Sequence, residues 1–252
     1  MKIYVCIKQV PNTNEVKIDS KKGTLIREGV ENIINPADKN ALEEALKIKD
    51  IDRDTEITVI SMGPPQAKEA IQECLAMGAD KGILLSDIAF SGADTYATSS
   101  VLAECIKKIG MPDIILLGKQ AIDGETAQVG PQLAEKLNVT FETSVTNIIY
   151  NKQLTITKET EKSITELNIE FPCLLTIPKD INEPRNMTVY NIIKKKEIKI
   201  LTHNDIGLEE YECGAEASPT HVEETFLPSK SKECIFINED SIDVITKLIK
   251  SI

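Results

Sequence analysis

Four short apolar runs, at residues 3–7, 57–61, 82–85 and 114–117, alternate with segments of helical spacing, and few folds accept that rhythm. Runs of four or five apolar residues suit strands buried on both faces, which is the situation of a parallel sheet. The intervening segments, 37–49, 65–77, 94–109 and 125–137, carry apolar residues three and four apart. Ala41, Leu42, Ala45 and Leu46 form the inward stripe of the first, and Ala67, Ala70, Ile71, Cys74 and Leu75 that of the second. Asp94 is an N-cap by type and position, and Pro65 suits a first helical turn. The expected architecture is α/β, a parallel sheet with helices on both faces. In such sheets ligands gather beyond the carboxyl ends of the strands, so the residues just after each strand are the ones to inspect.

The segment GKQAIDGETAQVG at 118–130, directly after Ile114-Ile115-Leu116-Leu117, has the composition of a nucleotide turn. Gly118 ends the strand, Asp123-Gly124 supplies a tight turn, and Thr126 offers a hydroxyl. A helix is expected to start near Glu125, where its free N–H groups could meet a phosphate, and Gly130 is read as leaving room for a ligand. No Gly-Lys-Ser/Thr follows, which excludes a Walker loop.

The net charge of -11 removes nucleic acid from the partners, since such binding needs a clustered basic surface. No run approaches the roughly 20 apolar residues of a membrane span, and the N-terminus reads as a strand, so a cytoplasmic protein is expected. Cys6, Cys74, Cys105, Cys173, Cys213 and Cys234 are scattered, without a C-x-x-C pair, and read as buried or incidental thiols. His203 and His221 both lie in a late polar region, so neither a metal site nor a histidine-based triad is expected.

After Asn138 the pattern turns to β-like alternation at 148–150, 154–157 and 167–169, then 173–177, which would extend the sheet or form hairpins. A basic run at Lys194-Lys195-Lys196 follows, then an acidic, poorly periodic stretch from 204 to 224 that is expected to wrap a partner or to move, and a short terminal helix over 240–252.

With these pieces in order, the chain resembles the beta subunit of electron-transfer flavoproteins along nearly its whole length. The resemblance rests on VCIKQVP at 5–11, INPADKNALEEAL at 34–46, SMGPPQAKEAI at 61–71, LAMGADKGILL at 75–85, GKQAIDGETAQVGP at 118–131 and NEPRNMTVYNI at 182–192. It implies a fold of the adenine nucleotide alpha hydrolase type, related to the Rossmann fold, with a nucleotide- and flavin-binding domain over 1–200. An extended arm over 201–252 would then pack on a larger, FAD-carrying alpha subunit. The positions matching the family's cofactor site are Cys6, Asn35, Pro36, Ala37, Asp38 and Met62, together with Gly118, Lys119, Gln120, Ala121, Ile122, Asp123, Gly124, Glu125, Thr126, Ala127, Gln128 and Val129.

The family divides between a housekeeping type with AMP in this site and an electron-bifurcating type with a second FAD. DGETAQVGP at 123–131 and SGADTYATS at 91–99 resemble the latter, and the second motif adds Asp94, Thr95 and Thr98 to the cofactor-binding candidates. The resemblance then implies that NADH donates a hydride, that one electron reaches ferredoxin or flavodoxin, and that the other passes through the alpha-subunit FAD to an acyl-CoA dehydrogenase. No side chain is assigned as acid, base or nucleophile. Residues 184–192 resemble the family's docking loop, with Val189 at its apolar anchor, whereas Asn186, Tyr190 and the Glu161-Lys162-Ser163 turn depart from the family pattern. Three readings stand beside this one: the AMP-holding electron carrier, an ATP-holding binding or stress-response module without a partner, and an adenine-nucleotide hydrolase or ligase on the same fold. The last should show an S-G-G-x-D phosphate loop after the first strand, where this chain has Lys8-Gln9-Val10-Pro11.

Overall fold

The computed structural model describes residues 1–12, 17–18, 25–26, 31–194, 196–221, 223 and 246. The chain opens with β1 (Lys2–Ile7), β2 (Gln9–Pro11), β3 (Lys17–Ile18), β4 (Leu25–Ile26), β5 (Asn32–Ile34) and α1 (Pro36–Ile51). The α/β body continues through β6 (Glu56–Met62), α2 (Lys68–Met77), β7 (Lys81–Leu85), α3 (Thr95–Ile109), β8 (Ile114–Gly118) and α4 (Val129–Leu137). Then come β9 (Thr140–Glu142), β10 (Val145–Tyr150), β11 (Leu154–Glu159), β12 (Ile164–Ile169), β13 (Cys173–Ile177), α5 (Val189–Ile193), β14 (Ile198–Leu201) and α6 (His203–Ile206).

Seven of the strands form one sheet in the order β14-β7-β6-β1-β8-β13-β9, and every neighbouring pair is parallel. The order reverses between β1 and β8, because β6 and β7 build outward on one side of β1 while β8 lies on the other. That switch point opens a crevice at the carboxyl ends of two adjacent strands. Alternation along each strand feeds two cores. Val5, Ile7, Ile57, Val59 and Leu116 pack against α1 and α2 on one face, whereas Tyr4, Cys6, Ile60, Ile115 and Leu117 meet residues of α3, α4 and α6 on the other.

Two sequence expectations, the start of the fourth helix and the state of the polar stretch after 203, need correction. The fourth helix begins at Val129 rather than Glu125, because Glu125 (φ 51°) and Ala127 (φ 54°) adopt left-handed backbone that no α-helix admits. The late strands, expected to extend the sheet or form hairpins, do both. β10, β11 and β12 form a separate antiparallel sheet, and β13 inserts between β8 and β9. The polar stretch after 203 is ordered through its described part: Ile206 and Cys213 are buried, and the Ala215 N–H donates to the Ser91 carbonyl at 2.9 Å. Gly214, at φ 57°, permits that approach, since a Cβ there would collide with the carbonyl oxygens of Ala89 and Ser91. The expected terminal helix over 240–252 lies outside the described residues apart from Thr246, as do Lys195 and Cys234. All five described cysteines are free and buried, and no described helix is long and apolar enough to cross a membrane.

Candidate functional site

Asn35 and Asp38, at the start of α1, organise the switch point. Asn35 does not cap its own helix. Its side-chain amide instead donates to the Gln120 carbonyl at 3.0 Å and accepts from the Ile122 N–H at 3.2 Å. Its backbone N–H donates to the Lys8 carbonyl at 2.9 Å. Asp38 is buried, and its two carboxylate oxygens accept the N–H of Lys8 and that of Gly118, each at 2.8 Å. A single carboxylate therefore ties the end of β1 to the end of β8 across the crevice floor. Burial pushes its pKa up to about 7, against the opposing pull of those two N–H donors, the Asn35 amide and the Lys8 charge. Gly118 is obligatory here, because a Cβ would press on the Asp38 carboxylate and come within 2.8 Å of the Ala37 Cβ.

The loop after β8 leaves this floor with Lys119 donating to the Ile177 carbonyl at 2.7 Å. It then closes a turn in which the Glu125 N–H meets the Ala121 carbonyl at 2.8 Å. Lys8 reaches across to Asp123 at 2.6 Å, both side chains being substantially exposed. Such a pair contributes little stability and is free to reorganise around a ligand. The backbone N–H groups of Gly124, Thr126, Ala127 and Gln128, and the Thr126 hydroxyl, meet no acceptor among the described residues. They lead directly into the positive end of α4.

A second positive end lies alongside. Thr95, in the first turn of α3, donates its hydroxyl to the Gln128 side-chain oxygen at 2.8 Å, and one turn on Ser99 donates to Gln132 at 3.3 Å. The pairing of 95 with 128 and 99 with 132 makes α3 and α4 run parallel, so their N-termini sit side by side. Two adjacent positive helix ends repel one another, and an anion bound between them relieves the repulsion. Asp94 caps α3 through the Ala97 N–H at 2.9 Å. Its carboxylate also accepts the hydroxyl and N–H of Thr220, at 2.8 and 3.1 Å. Burial works against the charge on Asp94, yet these donors hold its carboxyl below the usual range.

Two open concavities accompany this arrangement. One, of about 430 Å³, flanks the start of α1 and is lined by Pro36, Lys39, Ile122 and Asn182 among others. A larger one, of about 530 Å³, lies among Lys2, Glu56 and Asp113 at the amino ends of the strands, where none of the expected site residues is found. The crevice at the carboxyl ends, with its free donors, is the better candidate despite the larger volume elsewhere. No group of three or more His, Cys, Asp or Glu able to hold a metal occurs among the described residues.

Residues 22–205 match the electron transfer flavoprotein domain. The chain belongs to the electron transfer flavoprotein family. Among its relatives, caffeyl-CoA reductase-Etf complex subunit CarD of Acetobacterium woodii is 53% identical over 90% of this chain and 88% of its own length. The electron transfer flavoprotein subunit beta of Clostridium acetobutylicum is 51% identical over 89% and 87%. The acryloyl-CoA reductase electron transfer subunit gamma of Anaerotignum propionicum is 38% identical over 99% and 98%. The chain's place in the family is that of a beta subunit.

Within this electron transfer flavoprotein chain, the expected site residues separate by role. Asn35, Asp38, Gly118, Gln120 and Ile122 are spent on one another and on the strand ends. Pro36 and Ala37 form the first turn of α1. Cys6 turns its thiol into the α3–α4 core, where burial raises its pKa, so only its backbone faces the strand end. Met62 is half-buried on the same face of the sheet, and Thr98 is half-buried in the first turn of α3. Gly130 has a different purpose from the expected one: a Cβ there would fall 2.5 Å from the Thr176 methyl, so the glycine admits β13 rather than a ligand. Sequence reasoning missed Lys8, although its position one residue past β1 was a usable signal. It also missed Ser218 and Thr220, for which no local pattern exists.

Proposed function

We propose that this chain is the nucleotide-holding beta subunit of a heterodimer that oxidises NADH and parts its two electrons. One electron goes to ferredoxin or flavodoxin, and the other goes through the FAD of the alpha subunit to an acyl-CoA dehydrogenase. The observation that carries this reading is the donor array at the switch point, where the free N–H groups of Gly124, Thr126, Ala127 and Gln128 adjoin two parallel helix ends joined by Thr95 and Gln128. An array of that extent suits the diphosphate of FAD better than the single phosphate of AMP. When bound, FAD supplies two-electron uptake and one-electron release, chemistry that no side chain of the protein can perform.

The chain's own residues bind and orient. The N–H groups of Gly124, Thr126, Ala127 and Gln128 and the Thr126 hydroxyl would hold phosphate oxygens. Lys8 leaves Asp123 to meet added negative charge, and the Asp38 clamp fixes the separation of the two strand ends that frame the site. The names of the relatives from caffeyl-CoA and acryloyl-CoA reductase systems support a CoA-thioester enzyme as the final acceptor. For docking that enzyme we assign Val189, which is 72% exposed at the start of α5. Tyr190 and Ile193 are exposed beside it, an apolar group suited to a hot spot.

Cofactor extraction from the co-expressed heterodimer tests the reading. Two FAD and no AMP per heterodimer is the expected result, with NADH bleaching the flavin absorbance. One FAD and one AMP would replace it with a simple electron carrier holding a structural nucleotide.

A further inference from the structure

The segment after β14 is tied to the loop before α3 and to the amino end of α3 itself. Gly214 and Ala215 lie against the loop at 88–92, with the Ala215 N–H bonded to the Ser91 carbonyl and Gly92 packed on the Ala215 methyl. From there the chain passes directly over the cap of α3. The Ser218 hydroxyl donates to the Gly214 carbonyl at 2.7 Å and accepts the Asp94 N–H at 2.9 Å. Thr220 then gives both its hydroxyl and its N–H to the second carboxylate oxygen of Asp94, while the first oxygen caps Ala97. Asp94 is thus held at its backbone and at both oxygens, and three of its bonds come from residues more than 120 positions away. The next residue, Thr95, makes the contact that draws α3 against Gln128 of the donor loop.

We infer that Ser218 and Thr220 are positioning residues for the nucleotide: through Asp94 they fix the amino end of α3, and through Thr95 they fix the Gln128 end of the donor loop. An isolated Asp cap would orient only its own first turn. Here the cap is also the anchorage of residues 214–220, so a displacement of those residues would be transmitted to the cofactor site. This inference rests on the proposed seat of the nucleotide at the switch point and adds two residues remote from it in sequence.

The test uses the heterodimer purified with its alpha subunit. Thr220→Val removes the hydroxyl while keeping shape and backbone donor, and Ser218→Ala removes the other link. The double variant is expected to bind the beta-site nucleotide roughly threefold to tenfold more weakly, the scale of one or two lost hydrogen bonds to a charged group transmitted in part. Its visible circular dichroism should change, the alpha-subunit FAD should stay in place, and Thr220→Ser should restore affinity. Asp123→Ala with Thr126→Ala serves as the control on the seat itself. If that control weakens the nucleotide while the Ser218/Thr220 variant binds as the parent does, the positioning role is overturned and the seat stands. If the control has no effect, the seat fails and the inference with it. A Ser218/Thr220 variant that merely melts earlier, with unchanged affinity and spectrum, also overturns the positioning role.

Discussion

The loop at 119–128 and the segment at 182–193, the proposed nucleotide seat and the proposed docking surface, are built in opposite ways. In the first, polar backbone groups are left free: seven of its ten N–H groups lack acceptors among the described residues, and two non-glycine residues sit at positive φ. In the second, Asn182, Arg185, Thr188 and Asn191 are bonded to the body of the domain. Arg185 grips Glu43 through a two-nitrogen fork and reaches Asp50 at 2.8 Å. Asn182 exchanges bonds with Asn40 and donates to Glu44. Thr188 and Asn191 both donate to the Ala76 carbonyl at the end of α2. The same segment exposes a run of large hydrophobic side chains, Met187, Val189, Tyr190, Ile192 and Ile193. A phosphate-bearing ligand needs uncommitted donors, and left-handed backbone aims them at a cost of roughly 1–2 kcal/mol per residue. A protein partner needs rigid apolar contact, so the hydrogen bonds go into the foundation beneath it.

The largest effect that would sharpen this contrast is expected from Gly118→Ala. Its Cβ has nowhere to go between Asp38 and Ala37, so the clamp must open or β8 must shift. Overpacking of about 1–3 kcal/mol or more should lower the melting temperature and empty the nucleotide site together. Retention of the beta-site nucleotide at parental stoichiometry would break the link drawn between clamp and cradle.

Arg185→Met should come next. It strands Glu43, whose side chain is 6% exposed against 32% for Arg185. Full burial of the pair would predict a loss of roughly 3–5 kcal/mol, and the partial exposure of Arg185 reduces that to about 2. Electron delivery to the dehydrogenase should fall with it while cofactor content is unchanged, a combination readable by thermal melts and steady-state assay. Val189→Asp should leave the melting temperature unchanged, since the residue is solvent-exposed, but raise KM for the dehydrogenase about tenfold, the scale of a hot-spot side chain. An unchanged KM would remove the apolar segment from the docking surface.

The smallest effect is a pH slope. Burial raises Asp38 to about 7 in the folded chain, above an unfolded value of about 3.9. Between those values the folded state binds more protons, so this group's contribution to stability is full below pH 4, declines as pH rises, and is flat above 7. The stability difference between the parent and Asp38→Asn, from heterodimer melts across pH 4–8, should shrink over that interval. A difference that grows with pH would mean that the two N–H donors outweigh burial.

Much of the α/β body could be read from the sequence, because apolar periodicity reports burial locally. The runs at 3–7, 57–61, 82–85 and 114–117 became strands within about one residue. Asp94 was legible as a cap for the same reason, the relevant N–H being three residues away. The start of α4 was not, since Thr126, Ala127 and Gln128 are compatible with helix by type and the left-handed turns at Glu125 and Ala127 are imposed by surroundings. Gly130 misled because a glycine signals close approach without saying of what, and the approaching group was Thr176, 46 positions away in a strand inserted later.

The sequence alone determined the strand–helix alternation, the family membership and the segments that meet at the carboxyl ends, all of which depend on spacing or on local composition. Only the tertiary structure decided that β1 and β8 are the neighbours at the switch point, that Asp38 clamps them, and that Thr220 reaches the Asp94 cap. Those contacts join residues 30 to 126 positions apart. Their geometry follows from how the sheet orders its strands and how helices settle on its two faces, and no local pattern of residues records either.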